Sequence, residues 1–219
     1  MNDIATLKPV SLGEALLGEI VQPTFDLAQD YAELSLEALT DSPIFKEIPV
    51  IKTALAVIKT GMAIRERHFV QKLLVFLREL HRGEANQHTA KGFSEQIRSD
   101  HAFRDKVANH LLVMIDRYLV AEKAQVLGHL FKAHADGRIS WDDFVSLSMV
   151  LDALQPCSYP FLLELATSAT PFYYHGGARP EEAFLFAAGI ATRHGTMFSV
   201  TPLGQKLCAS GIQPFVTHQ

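Results

Sequence analysis

Ten histidines, two cysteines and 24 carboxylate residues are the groups in this chain that could bind a metal or move protons. Their spacing decides whether they do. No HExxH pair occurs, and His129 and His134 stand five apart, which does not bring them onto one helix face as a four-residue step would. Ala135-Asp136-Gly137-Arg138-Ile139-Ser140 with Asp143 matches the second half of a calcium loop. With Gly137 as its sixth position, however, the loop would begin at Lys132 and place His134 third, where calcium requires oxygen ligands. A plain helix-turn-helix connector is expected there. His68, His81, His110 and His129 fall in helical, partly apolar stretches and read as packed or solvent-facing. His175, in Tyr173-Tyr174-His175-Gly176-Gly177, reads as turn filler. Asp100, Asp116 and Asp152 show no paired spacing, and no nucleophile elbow, P-loop or dinucleotide fingerprint is present. The expectation is a protein with no metal, no cofactor and no catalytic residues: not an enzyme.

Cys157 and Cys208 have no partners at metal spacing, and two cysteines make no disulfide framework. Met1-Asn2-Asp3 opens no signal peptide, so a cytoplasmic location is expected. The apolar run 48–64 carries Lys52 and Lys59 and is shorter than the ~20 residues of a span. No transmembrane segment is predicted.

These groups sit on helices. Apolar residues recur at helical spacing through Ser11 to Leu39, where Pro23 must kink or divide the helix, and again from Val50 to Leu80. The stretch GEANQHTAKG, Gly83 to Gly92, reads as an exposed loop. Ser99 or Asp100 caps a helix to Leu119, another runs from Ala121 to Ala135, and Ser140 with Asp143 forms a capping box for a third. A shorter helix follows from Tyr159, and Thr170 to Gly177 is an aromatic turn. The fold class is all-α: residues 1–135 a helical bundle with a long helical hairpin, residues 136–219 a smaller C-terminal domain.

Charge is distributed unevenly. Residues 1–47 hold nine acids and two bases, net −7, while residues 48–82 hold seven bases and two acids, net +5. The simplest account lays an acidic helix along a basic one, with an acid from the first helix facing Arg65 and Arg67. A sharper account makes Lys52, Lys59, Arg65, Arg67 and Lys72 a contact for an acidic protein partner.

The C-terminal residues carry a more specific pattern. A helix from Arg179 to Thr192 runs into a turn, Arg193-His194-Gly195-Thr196, then an extended Met197-Phe198-Ser199-Val200, and Thr201-Pro202-Leu203-Gly204 opens a last helical turn through Leu207. This order resembles the end of a winged-helix domain, which implies a short β-hairpin. In DNA-binding members the helix before the wing reads base edges with polar side chains. Here it begins with Glu181 and Glu182 and continues through Phe184, Leu185, Phe186 and Ile190, so a protein-covered helix is expected, by the chain's own helices or by self-association. A net charge of −4 agrees, because non-specific DNA affinity rests on neutralising phosphates. Arg179, Arg193 and His194 are the residues a DNA-binding transcription regulator would use, and such a regulator is the first alternative. A membrane-surface protein using Val50 to Ile64 is the second.

Ile64-Arg65-Glu66-Arg67-His68-Phe69 through Leu80, with Leu130-Phe131-Lys132-Ala133 through Phe144, resembles a family of uncharacterised bacterial helical proteins. The resemblance implies a role in bacterial stress or phage defence and carries no catalytic residues. The expected function is that of an interaction or regulatory module working through helical surfaces, with Phe184 and Phe186 among its contact residues.

Overall fold

The computed structural model describes residues 11–23, 47–57, 64–82, 87–168, 172–174 and 179–217, with backbone alone at 87–91 and 173–174. Helix α1 (Leu12–Val21) starts where the Ser11 hydroxyl accepts the Glu14 N–H at 3.2 Å and the Glu14 carboxylate accepts the Ser11 N–H at 3.1 Å. It stops at Gln22, the residue before Pro23, because the proline ring disfavours helical backbone at that position. Helix α2 (Pro49–Val57) packs against α1 and buries Val50, Ile51 and Ala54. Helix α3 (Ile64–His81) is buried along most of its second half. The expected helix over Val50 to Leu80 is thus seen as α2 and α3, with 58–63 outside the described residues.

Gly83 to Gly92 departs from expectation. Helix α4 (Gln87–Ser99) already includes Gly92, because Phe93 and Ile97 anchor its far end in the core. Burial of two apolar side chains outweighs a poor local propensity. A methyl group added at Gly92 meets nothing within 4 Å. Gly92→Ala should therefore raise stability by about 0.5–1 kcal/mol in chemical denaturation, and a loss of stability would contradict this helical assignment.

Helix α5 (His101–Arg117) begins where Asp100 accepts the Phe103 N–H at 2.9 Å, and α6 (Ala121–Ala135) follows after a short turn. The principal helix pair is α3 with α6, and it centres on Gly128. A Cβ there would stand 2.9 Å from the Phe76 carbonyl oxygen, so the two helices close to a distance only glycine permits. Helix α7 (Trp141–Ala153) opens on the expected Ser140/Asp143 capping box; after a 3-10 turn (Pro156–Ser158) comes α8 (Tyr159–Thr167).

The C-terminal unit comprises β1 (Tyr173–Tyr174), α9 (Pro180–Ala187), β2 (Ala191–His194), β3 (Met197–Val200) and α10 (Pro202–Leu207). A π-helical turn (Cys208–Ile212) and α11 (Gln213–Thr217) follow, both packed against α6. The antiparallel sheet has the order β1-β3-β2, with Arg193 opposite Phe198 and Tyr173 on the other side of Phe198. Three local features differ from the sequence reading. The helix expected to reach Thr192 ends at Ala187, where Gly189 takes a left-handed φ of +72° and reverses the chain. Arg193 and His194 consequently lie on β2, and the turn is Gly195-Thr196, with Gly195 at φ +62° as a type II′ hairpin requires. Tyr173 and Tyr174, within the expected aromatic turn, add a third strand.

The Thr201-Pro202-Leu203-Gly204 motif now has a mechanism. The Thr201 hydroxyl accepts the Gly204 N–H at 3.2 Å, Pro202 supplies the first helical residue, and the Thr201 N–H donates to the Ile190 carbonyl at 2.9 Å. The helix start is thereby stitched to the beginning of β2. The fold is all-α with this one small sheet.

Candidate functional site

Helix α9 offers two faces of unlike character. Leu185 and, just beyond the helix, Ile190 are fully buried, whereas Phe184 is 37% and Phe186 60% exposed. Of the four residues expected to be covered by the chain's own helices or by self-association, Leu185 and Ile190 are covered within the chain, and Phe184 and Phe186 are not. A helix needs just one stripe to dock, and the sheet already covers that stripe. Beside Phe186 lies an open cleft of about 410 Å³ lined by Ala183, Phe186, Phe198, Arg179, Glu182 and Arg193.

The cleft's charges are matched locally. Arg193 donates to the buried Glu182 carboxylate at 3.0 Å. Arg179 reaches Glu164 at 3.3 Å and Glu181 at 3.8 Å, and its guanidinium lies 4.1 Å from the centre of the Phe161 ring. Two arginines thus stand among three glutamates. A phosphate backbone approaching here would meet acids that already engage both bases, and the neighbouring strand Met197–Val200 carries no lysine or arginine. His194 is exposed on β2.

The basic residues of the first half do not form one surface. Lys72 is buried, and its ammonium donates to the carbonyls of Asp116 at 2.9 Å and Tyr118 at 2.5 Å, at the C-terminal end of α5. Lys123 does the same for the end of α7 through the Asp152 carbonyl at 2.6 Å, and Lys132 for the end of α3 through the Arg82 carbonyl. Burial lowers the pKa of all three amines from the ordinary lysine value, opposed in part by nearby carboxylates. Each one supplies donors where a helix has run out of its own. Arg65 pairs with Asp116 of α5 at 2.5 Å, while Asp26, Asp30, Glu33 and Glu37 of the expected first helix lie outside the described residues. Arg67 is exposed, exposed Lys52 pairs with Glu47 at 3.7 Å, and Lys59 lies outside the described residues, as does His175.

Of the stretch Val50 to Ile64, Val50, Ile51 and Ala54 are in the core, Ile64 is exposed, and 58–63 lie outside the described residues. No helix among the described residues is long and apolar enough to cross a membrane. Among those residues, no three His, Cys, Asp or Glu side chains converge as a metal site.

Two clusters escaped sequence reading. Glu79, 1% exposed, holds Arg78 at 2.9 Å, Arg82 at 3.1 Å, Gln125 at 3.4 Å and His129 at 3.7 Å between α3 and α6. The second is an aromatic group around Trp141 that takes in His110 and His134. Only the apolar spacing of α3 and α6 hinted at the first, since it puts Glu79 on the buried side. No family model, no curated protein and no solved structure matches this chain, so the likenesses noted above rest on its residues alone.

Proposed function

We propose that this protein is a non-catalytic interaction module whose contact surface is the outer face of α9 with the adjoining cleft, and that its partner is a protein presenting an apolar side chain. The observation that carries this is Phe186, most of its ring in solvent, at the mouth of a cleft floored by Phe198 and walled by paired arginines. Aromatic and arginine side chains around a small apolar depression are the composition of energetic centres in protein interfaces. The neutralised arginines favour an apolar insert over a polyanion.

Phe186→Asp tests the reading. The ring is exposed, so the thermal midpoint should move by no more than about 0.5 kcal/mol equivalent, while partner affinity falls at least tenfold, the scale of a central interface residue. Met149→Asp, an equally exposed position on α7, is the control. Support requires a protein retained by wild type and Met149→Asp, lost with Phe186→Asp, and rebound in the same order from purified components. Equal retention by all three forms ends the proposal.

A further inference from the structure

Four helices meet around Trp141, the one tryptophan of the chain. Its ring centroid lies 5.4 Å from His134, 5.7 Å from His110, 5.6 Å from Phe103 and 5.3 Å from Phe144. Phe93 of α4 and Phe131 of α6 close the far side of His134 at 5.7 and 6.1 Å. The Lys106 ammonium sits 5.6 Å from the indole centre.

Hydrogen bonds fix where the imidazole protons are. His134 Nδ1 is 3.2 Å from the Ile139 carbonyl, which can only accept, so Nδ1 carries the proton. His134 Nε2 is then a bare lone pair, buried with no hydrogen-bond partner among the described residues. His110 Nε2 is 2.8 Å from the Ser148 hydroxyl, whose own proton goes to the Val145 carbonyl at 2.8 Å. With the hydroxyl proton so placed, His110 Nε2 donates, and in the neutral ring Nδ1 is the bare nitrogen.

We propose that His134 and His110 form an acid-operated release for Trp141, in which a second proton on these rings expels the indole and loosens the turn between α6 and α7. A proton arriving at His134 Nε2 creates a buried N–H with no acceptor and a unit charge against aromatic rings. The turn is coupled directly, because the Nδ1 bond to Ile139 spans it.

The surrounding charges do not offset this. From α5, Lys106 faces His110 and the indole, and Arg104 is a second cation, 3.9 Å from Asp105. From α7, Asp143 is held by Lys206 at 2.7 Å, and Asp142 is exposed. From α6 and its turn, Lys132 is bound to the Arg82 carbonyl, and Asp136 pairs with Arg138 at 3.5 Å. From α4, Glu95 and Arg98 are exposed. Among the described residues, no carboxylate acts on either imidazole. Burial lowers both below the ordinary 6.5; Lys106 lowers His110 further, and the Ile139 carbonyl opposes the shift in His134. The unfolded chain thus takes up these protons first. The contribution of the cluster is complete above 6.5 and is lost as pH falls from 6.5 to the folded-state values.

Titrating the Trp141 emission of the wild-type protein from about pH 8 to about pH 5 reads this directly. The expected result is a red shift with its midpoint below 6.5, with the His134 imidazole NMR resonances moving over the same interval and the far-UV circular dichroism constant. In His110→Asn/His134→Gln, which keeps side-chain donors but cannot charge, the shift disappears. Flat wild-type emission, a shift surviving in the double variant, or loss of helical signal in step with the shift overturns the proposal. The wild-type readouts decide alone if the double variant does not fold.

Discussion

Gly204→Ala lowers the stability of the folded chain by about 3 kcal/mol, the largest effect expected of any single methyl group here. The added carbon would stand 2.3 Å from the Ile190 carbonyl oxygen, 2.6 Å from Val200 Cγ1 and 3.1 Å from Ile190 Cβ. The first of these is backbone, so no side-chain rotation relieves it. That oxygen also accepts the Thr201 N–H at 2.9 Å, and moving it strains the bond joining α10 to the start of β2. Overpacking of about 1–3 kcal/mol and a weakened buried hydrogen bond of about 1 kcal/mol combine to the stated loss. For a chain of this size, thermal unfolding should shift down by roughly 6–12 °C. A variant within about 0.5 kcal/mol of wild type would mean that the hairpin and α10 do not pack as described.

Glu79→Leu carries the second large effect, also a loss of about 3 kcal/mol in denaturant titration. Leucine fills much of the same volume, so the cost is electrostatic. Removing the carboxylate strands Arg78, whose side chain is only 15% exposed, together with the donors of Gln125. Arg82 is twice as exposed and can turn outward, which holds the figure at the lower end of the range for a broken buried pair. Glu79→Gln, able to keep some acceptor capacity, should lose less. If leucine and glutamine cost the same, the lost charge and not the lost acceptor capacity governs the site.

What the sequence made legible was periodic or local. Ser140 with Asp143 announced its helix start, and the start of α5 was narrowed to Ser99 or Asp100, because capping is settled within four residues. The C-terminal hairpin was visible in Gly195 and in the motif ending at Gly204, although neither revealed the contact between Gly204 and Ile190. Gly189 was misread as a helical residue because its left-handed backbone depends on where α9 must turn back. Helix α4 was missed since its first turns are polar and its anchors, Phe93 and Ile97, come late. Lys72 resembles any surface lysine until α5 is placed beside it, and charge counting alone made it a binding residue. Phe184 and Leu185 are neighbours with opposite fates, which depend on where the sheet lies across α9.

Lys72, Lys123 and Lys132 have a consequence for the lengthwise placement of the rods. Oily side chains attract without direction, and two such cylinders could slip by one turn of about 5.4 Å and still touch well. An ammonium held against the last carbonyls of a neighbour allows no such slip. Each would be left as an unmatched cation, and each terminus would be bare. Grease sets which rods lie together; three amines set how far along one another they sit.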